Sequence, residues 1–389
     1  MPVFRDVNPN EIVGKEKLFP IKKDSSTRIV VPQISKNQTL KPTDFLDSVS
    51  FIALSNQKEA VIGTINKLTI AHNSLFILDR YKTKSVKRFA MTGDLIAQIG
   101  HPGPGPEEYT EPTDFCITED QVLVYDQFRQ RILFYDLNGK FMQAKRVPFA
   151  FMEFHRFSPN SYLFRTLDSP NNHLPSLLDY PVFETDSNFV VQNKGFYRKK
   201  DLYRRLLNES DFSPMQDKVY YRAPYGDTIF SILPGGLEVK PSYIFDYGKR
   251  TLPENLLIRK NNKKFTQEEN ESRYVFPSKY VILDDYVFFT YSVAHLLYYG
   301  IYSKQTESLV QGNRLSVDKI SGLFSITNIV SSYQNALVGY MEPSDIANSL
   351  KTASRDRIVE IIGEKYTQIA EKMNTEDNPY LVFFYLKKF

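Results

Sequence analysis

The chain has 389 residues, a formal net charge of +4 and 42% hydrophobic residues, with 29 Phe, 25 Tyr and no Trp. That length exceeds one ordinary domain but suits a fold that grows by repetition. So small a charge argues against a nucleic-acid footprint, and no apolar run approaches the roughly 18 residues of a membrane span.

Residues 1–44 are rich in Lys, Pro, Ser and Asn and hold one strand-like run, Thr27-Arg-Ile-Val-Val31. They read as an N-terminal arm on the outside of a domain that spans 45–389. Residues 48–54 alternate as a strand. Next comes a motif that occurs twice. Ser74-Leu-Phe-Ile-Leu-Asp79, Ser85-Val-Lys-Arg-Phe89 and Thr92-Gly-Asp-Leu-Ile96 form the first copy. Gln121-Val-Leu-Val-Tyr-Asp126, Gln130-Arg-Ile-Leu-Phe-Tyr135 and Asn138-Gly-Lys-Phe141 form the second. Asp79 and Asp126 lie 47 positions apart, Gly93 and Gly139 lie 46 apart, so the copies differ by one residue. A period of about 45–50 residues made of short strands is that of a propeller blade.

Four-stranded blades are expected at 65–99 and 112–147. A less regular third follows at 151–196, and a fourth at 211–245. Residues 249–273, rich in Lys, Asn and Glu, read as an excursion between blades. An aromatic fifth blade follows at 279–311, its first turn made by Asp284-Asp285. The sixth begins with strands at 323–331 and 336–340. From 344 to 373 the period turns helical, with Ile346, Leu350, Ile358, Ile361, Ile362, Tyr366, Ile369 and Met373 recurring on three- and four-residue spacing, and Ser344 able to cap. Docking of this insertion on the propeller's flank is expected. Asn378-Pro-Tyr-Leu-Val-Phe-Phe-Tyr385 closes the chain as a strand. That leaves the last blade one strand short, a gap the strand at 48–54 fills, removing two exposed edges. The fold expected is all-β: a six-bladed β-propeller with four-stranded antiparallel blades, a helical insertion in the last blade and an N-terminal arm.

Ile99-Gly-His-Pro-Gly-Pro-Gly-Pro-Glu-Glu-Tyr109 lies between two Asp-bearing strand pairs. It resembles the Gly-x-Gly-Pro-Gly-Glu-Tyr segment of a six-bladed β-propeller family common in Bacteroidetes, with Glu107 in place of a glycine and His101-Pro102 before the glycines. The last strand is similar too, and Val124-Tyr-Asp126 with Arg131-Ile-Leu-Phe134 resembles the NHL repeat. The resemblance implies an exported lipoprotein encoded near nutrient-uptake loci, and it brings no catalytic residues.

In an up-and-down blade the loops joining strands 2 and 3 share a face with the crossovers to the next blade. His101–Tyr109, Arg80–Lys84 and Gln127–Gln130 are therefore expected on one rim. His101, Glu107, Glu108, Tyr109, Arg80 and Arg129 are the candidate ligand-binding residues there. The glycine-rich loop lacks the Gly-Lys-Ser/Thr ending of a phosphate loop, and its prolines at 102, 104 and 106 remove backbone donors. A rigid crossover, with Tyr109 packed on the next blade, is the plainer reading. Asp79 and Asp126 recur at matched positions, as turn-capping carboxylates would. The five histidines show no metal-ligand spacing, and no Gly-x-Ser-x-Gly nucleophile elbow is present. The basic clusters at 198–205 and 259–264 are interleaved with or followed by acids, as on solvated loops.

Cys116, the single cysteine, makes no internal disulfide and sits in an apolar run, as a packing residue does. Met1-Pro-Val-Phe-Arg5 lacks the basic-then-apolar pattern of a signal peptide. The expected compartment is the cell envelope if an export signal has been removed, and the cytoplasm otherwise. The function expected is non-enzymatic binding of a protein, peptide or glycan at the loop-rich rim. One alternative is a metal-assisted lyase or lactonase in the channel mouth, with ligands from several blades. Another is an assembly component that uses the arm and the 344–373 helix. Metal and cofactor are left unknown.

Overall fold

The computed structural model describes every residue except 1–3, 23–25, 167–170, 199–211, 237, 258–261, 272, 316–327, 353, 373 and 375. Six antiparallel sheets stand around a central channel, making a six-bladed β-propeller. The first blade holds Lys67–Ala71, Ser74–Asp79, Ser85–Ala90 and Leu95–Ile99, from the channel outwards. The second holds Pro112–Ile117, Gln121–Asp126, Arg131–Asp136 and Phe141–Arg146. The innermost strands of the others are Glu153–Ser158, Phe212–Met215, Phe276–Ile282 and Ile329–Tyr333. The last of these begins later than the strand expected at 323–331, part of which lies outside the described residues.

Second strands such as Ser74–Asp79 are buried along their whole length, because each blade is covered on both faces by its neighbours. Six apolar clusters lie one at each interface between neighbouring blades. Phe76, Leu78 and Val86 meet Phe115, Val124 and Leu133 between the first two. Leu75 and Ile77 meet Val338 and Phe383 where the sixth blade returns to the first.

The ring closes with strands from both ends of the chain. β4 (Leu46–Ala53), after β1 (Lys17–Leu18), β2 (Thr27–Val30) and β3 (Thr39–Leu40), pairs antiparallel with Tyr380–Leu386 and completes the sixth blade. The arm before it is a belt. Asp6 pairs with Arg146 on the second blade. β1 adds in parallel to Val191–Gly195 of the third blade, β2 to Val239–Asp246 of the fourth, and β3 to Arg314–Leu315 beyond the fifth. It therefore covers outer edges that would otherwise offer free backbone groups.

The expected helical stretch is three helices, Pro343–Thr352, Arg355–Ile362 and Glu364–Glu371. Gly363 at φ +81° ends the second in the left-handed region that favours glycine. Ile346 and Ile358 sink into the cluster between blades five and six, which docks the insertion on the flank. The 249–273 excursion is itself partly helical, with Asn262–Glu271 lying near Tyr286–Val293.

Candidate functional site

Antiparallel order sends the 2→3 loops and the blade-to-blade crossovers to one face, and the 1→2 and 3→4 hairpins to the other. The hairpin face is tight, with turns at 72–73, 159–160 and 216–217. The other face carries long connections, among them 54–66, 100–111, 166–181, 247–275 and 342–379. The loops named from sequence all lie on it.

The 100–109 crossover is held rigidly. Arg129 donates to the carbonyls of Gly105 (3.1 Å) and Pro104 (2.7 Å). Arg131 donates to those of Pro106, Gly105 and Glu108, and the Tyr135 hydroxyl to that of Glu107. Glu108 turns inward to accept from Gly105 N at 2.7 Å. Tyr109 has 0% exposure; its hydroxyl donates to Ile99 O (2.9 Å) and accepts from Val86 N (3.3 Å), fastening the crossover to the first blade. His101 and Glu107 are exposed, His101 against Gln98 at 2.9 Å. Arg80 is half-buried, its guanidinium 5.5 Å from the Tyr81 ring centroid. The six residues thus share a face, but Tyr109 and Glu108 serve the loop's own structure and none of the six lines the channel.

Asp79 and Asp126 act as staples. Asp79 accepts from the backbone N–H of Gly63, Tyr81, Lys82 and Thr83 and from the hydroxyls of Thr64 and Thr83. Burial alone would raise its carboxyl, yet these bonds hold it below the usual range. Asp126 accepts from Thr110 N and Glu111 N, tying down the end of the glycine-rich crossover.

Those staples present what sequence reasoning missed. Two residues after Asp79 stands Tyr81, 58% exposed; two after Asp126 stands Phe128, 69% exposed. Each is followed by a cation, Lys82 or Arg129. Tyr197, 63% exposed, rises from the crossover after the third blade on the same face. The signal was available in the sequence as a matched offset between the two copies. Packing does not call for an exposed ring at the same place in two adjacent blades.

The channel encloses a cavity of about 410 Å³ walled by the inner strands, including Lys67, Cys116, His155, Ser213, Lys279, Tyr280 and Ser332. Lys67 reaches across from the first blade to Asp114 of the second at 2.6 Å and to Phe115 O at 2.8 Å. Burial pushes the Asp114 carboxyl up against that lysine's pull. Cys116 Sγ lies 3.9 Å from His155 Nδ1. Burial raises the thiol, and burial with the Lys67 charge lowers His155 to about 4, so thiol and imidazole are both neutral at pH 7. Cys116 is accordingly a packed residue rather than a thiolate. Among the described residues no three His, Cys, Asp or Glu side chains converge to hold a metal ion.

These features define a six-bladed β-propeller whose rigid long-loop face carries exposed aromatic rings. The chain belongs to the family described as a domain of unknown function, DUF4934, whose profile matches residues 26–385. Its fold is similar to that of a Bacteroides fragilis NCTC 9343 protein whose name assigns it provisionally to export. The two are 19% identical with a TM-score of 0.73, over 93% of this chain and 100% of that one. A member of the DUF4221 family from Bacteroides vulgatus is similar at 10% identity and a TM-score of 0.50, over 88% and 97% of the two chains. No curated protein matches the sequence. No helix among the described residues is long and apolar enough to cross a membrane.

Proposed function

We propose that the long-loop face binds a protein, peptide or glycan, and that the propeller acts as a binding scaffold without catalysis. One observation carries this reading: Tyr81 and Phe128, each beside a cation, stand exposed at matched positions of adjacent blades. Aromatic rings held in water on rigid loops are suited to stack on a sugar ring or a peptide side chain, with Lys82 and Arg129 supplying donors at the edge. His101, Glu107 and Arg80 complete the polar surround. The cell envelope is the compartment this reading favours, supported by the export assignment of the similar Bacteroides fragilis protein.

The lyase or lactonase alternative draws no support from the cavity, where the ionisable groups among the described residues are Lys67, already paired with Asp114, Lys279, Tyr280 and a neutral Cys–His pair. The test is the melting midpoint of the purified chain against oligosaccharides, peptides and divalent metals, with a chelator control. A ligand selective for the folded state raises the midpoint by mass action. A shift with a sugar or peptide that the chelator leaves untouched is expected. A shift with a metal alone, lost on chelation, would replace the binding reading with the enzymatic one.

A further inference from the structure

We propose that Arg222 and Tyr247 form a buried oxyanion-binding site between the fourth and fifth blades, alongside the central channel. The last residue of the second strand is Asp79, Asp126, Arg165 and Arg222 in blades one to four. In the first three its charge is answered. Asp79 takes the donors of its turn, Asp126 takes Thr110 N, Glu111 N and the Arg131 guanidinium, and Arg165 pairs with Glu153. Arg222 breaks the series. It is 3% exposed, and no carboxylate among the described residues pairs with it.

Its contacts are few. Nη2 donates to Ser278 O, and the guanidinium lies over the Tyr280 ring at 5.3 Å from the centroid. Among the described residues, Nε and Nη1 are buried with no acceptor. The Tyr247 hydroxyl is also buried without a hydrogen-bond partner among the described residues. Tyr247 packs in the same cluster as Tyr280, the ring that Arg222 covers, and its ring centroid lies 5.9 Å from that of Tyr291. Burial pushes the Tyr247 phenol up, the charge of Arg222 pulls it down, Tyr291 and Asp227 raise it and Arg250 lowers it. Arg250 donates to Val31 O, and Asp227 accepts from the Thr228 hydroxyl.

A guanidinium removed from water with two open donors calls for a negatively charged acceptor, and a neighbouring phenol adds a third donor to the same group. A carboxylate or a tetrahedral oxyanion meets that need. Tyr280 also walls the channel cavity, as do Phe212 and Lys279. The acid end of a larger ligand would thus lie at Arg222 and its body in the channel.

The experiment follows the melting midpoint of the full chain, and binding heat, against acetate, phosphate and sulfate at constant ionic strength, with chloride as reference. Sulfate and phosphate also stabilise proteins non-specifically, so the expected signature is a saturable rise with one oxyanion class. That rise should vanish in Arg222→Met, and the Kd should weaken about tenfold in Tyr247→Phe. Acetate alone would assign a carboxylate ligand; phosphate or sulfate alone, a tetrahedral one. A response no greater than chloride's, or one retained in both variants, overturns the proposal. Should Arg222→Met fail to fold, crystals of the unaltered chain soaked in selenate decide: an anomalous peak within hydrogen-bonding distance of Arg222 supports the site, and none there overturns it.

Discussion

Replacing Lys67 with methionine removes the cation that joins the inner strands of the first two blades while keeping most of the side chain's volume. The Nζ–Oδ1 distance is 2.6 Å and the Asp114 side chain is almost wholly buried, with Phe154 N its other donor at 2.9 Å. Breaking a buried pair from one side leaves the other charge uncompensated and costs about 3–5 kcal/mol. For 389 residues the unfolding entropy is about 0.8 kcal/mol per degree, so the midpoint should fall by about 4–6 °C. The loss should also depend on pH. Without the lysine the folded Asp114 pKa climbs further above its unfolded value of about 3.9. Stability is then retained below that value and lost as pH rises towards the folded pKa, so acidification from pH 7 towards about 4 should recover part of the loss relative to the unaltered chain. Urea melts of Lys67→Met, Asp114→Asn and the double variant measure the coupling directly. A coupling below about 0.5 kcal/mol, or a Lys67→Met penalty that does not change with pH, would refute the reasoning.

Asp79→Ala should cost about 2–4 kcal/mol in denaturant melts, since it orphans backbone donors of both a turn and a crossover. Because hydrogen bonds hold the Asp79 pKa below its unfolded value, its contribution is present above about pH 4 and lost as pH falls through the folded value. His155 acts in the same direction by a different route. Lowered to about 4 by burial, it takes up a proton on unfolding between about pH 6.5 and 4, so stability should fall by about 3 kcal/mol as pH drops through that window. Melts of His155→Gln across the window should lack that slope. Glu16, whose carboxyl sits at about 2 because bonds from Gly14 N and Lys194 outweigh its burial, holds the arm to the third blade. Glu16→Gln should speed proteolytic cleavage within residues 4–22 while leaving the ring's melting transition within about 1 °C.

The repeat made the ring legible because it marks contacts between blades. Gly93 and Gly139 sit at φ +94° and +87°, where an added Cβ would lie 1.9 Å from Ala53 O and 2.3 Å from Gln98 O of the neighbouring blade. Only glycine tolerates both the backbone and the approach. The one-residue difference between copies falls in the 2→3 loop, 80–84 against 127–130, which the ring does not constrain. Later blades read poorly because the strand-end acid becomes Arg165, paired with Glu153, and then Arg222, with no carboxylate partner among the described residues. The belt was hidden for a different reason: β1 is two residues long, and its register is set by the edge it joins rather than by its own pattern. Lys67, Asp114, Cys116 and His155 come from three blades and meet only when the ring closes, so no local spacing announces them. The break between the second and third helices of the 344–373 stretch falls on a single residue, Gly363.

The account's central claim is that the aromatic rings of the long-loop face bind a ligand. The direct measurement is binding of the labelled chain to oligosaccharide and peptide arrays, repeated with the Tyr81→Ala/Phe128→Ala double variant and with a Met142→Ala/Ile96→Ala control. The control also removes exposed apolar groups, but on the outer strands of the same two blades. Binding abolished in the first pair, kept in the second, with all melting midpoints within about 1 °C, is the result the account predicts. Binding that survives loss of both rings, or that disappears in the control, would contradict it.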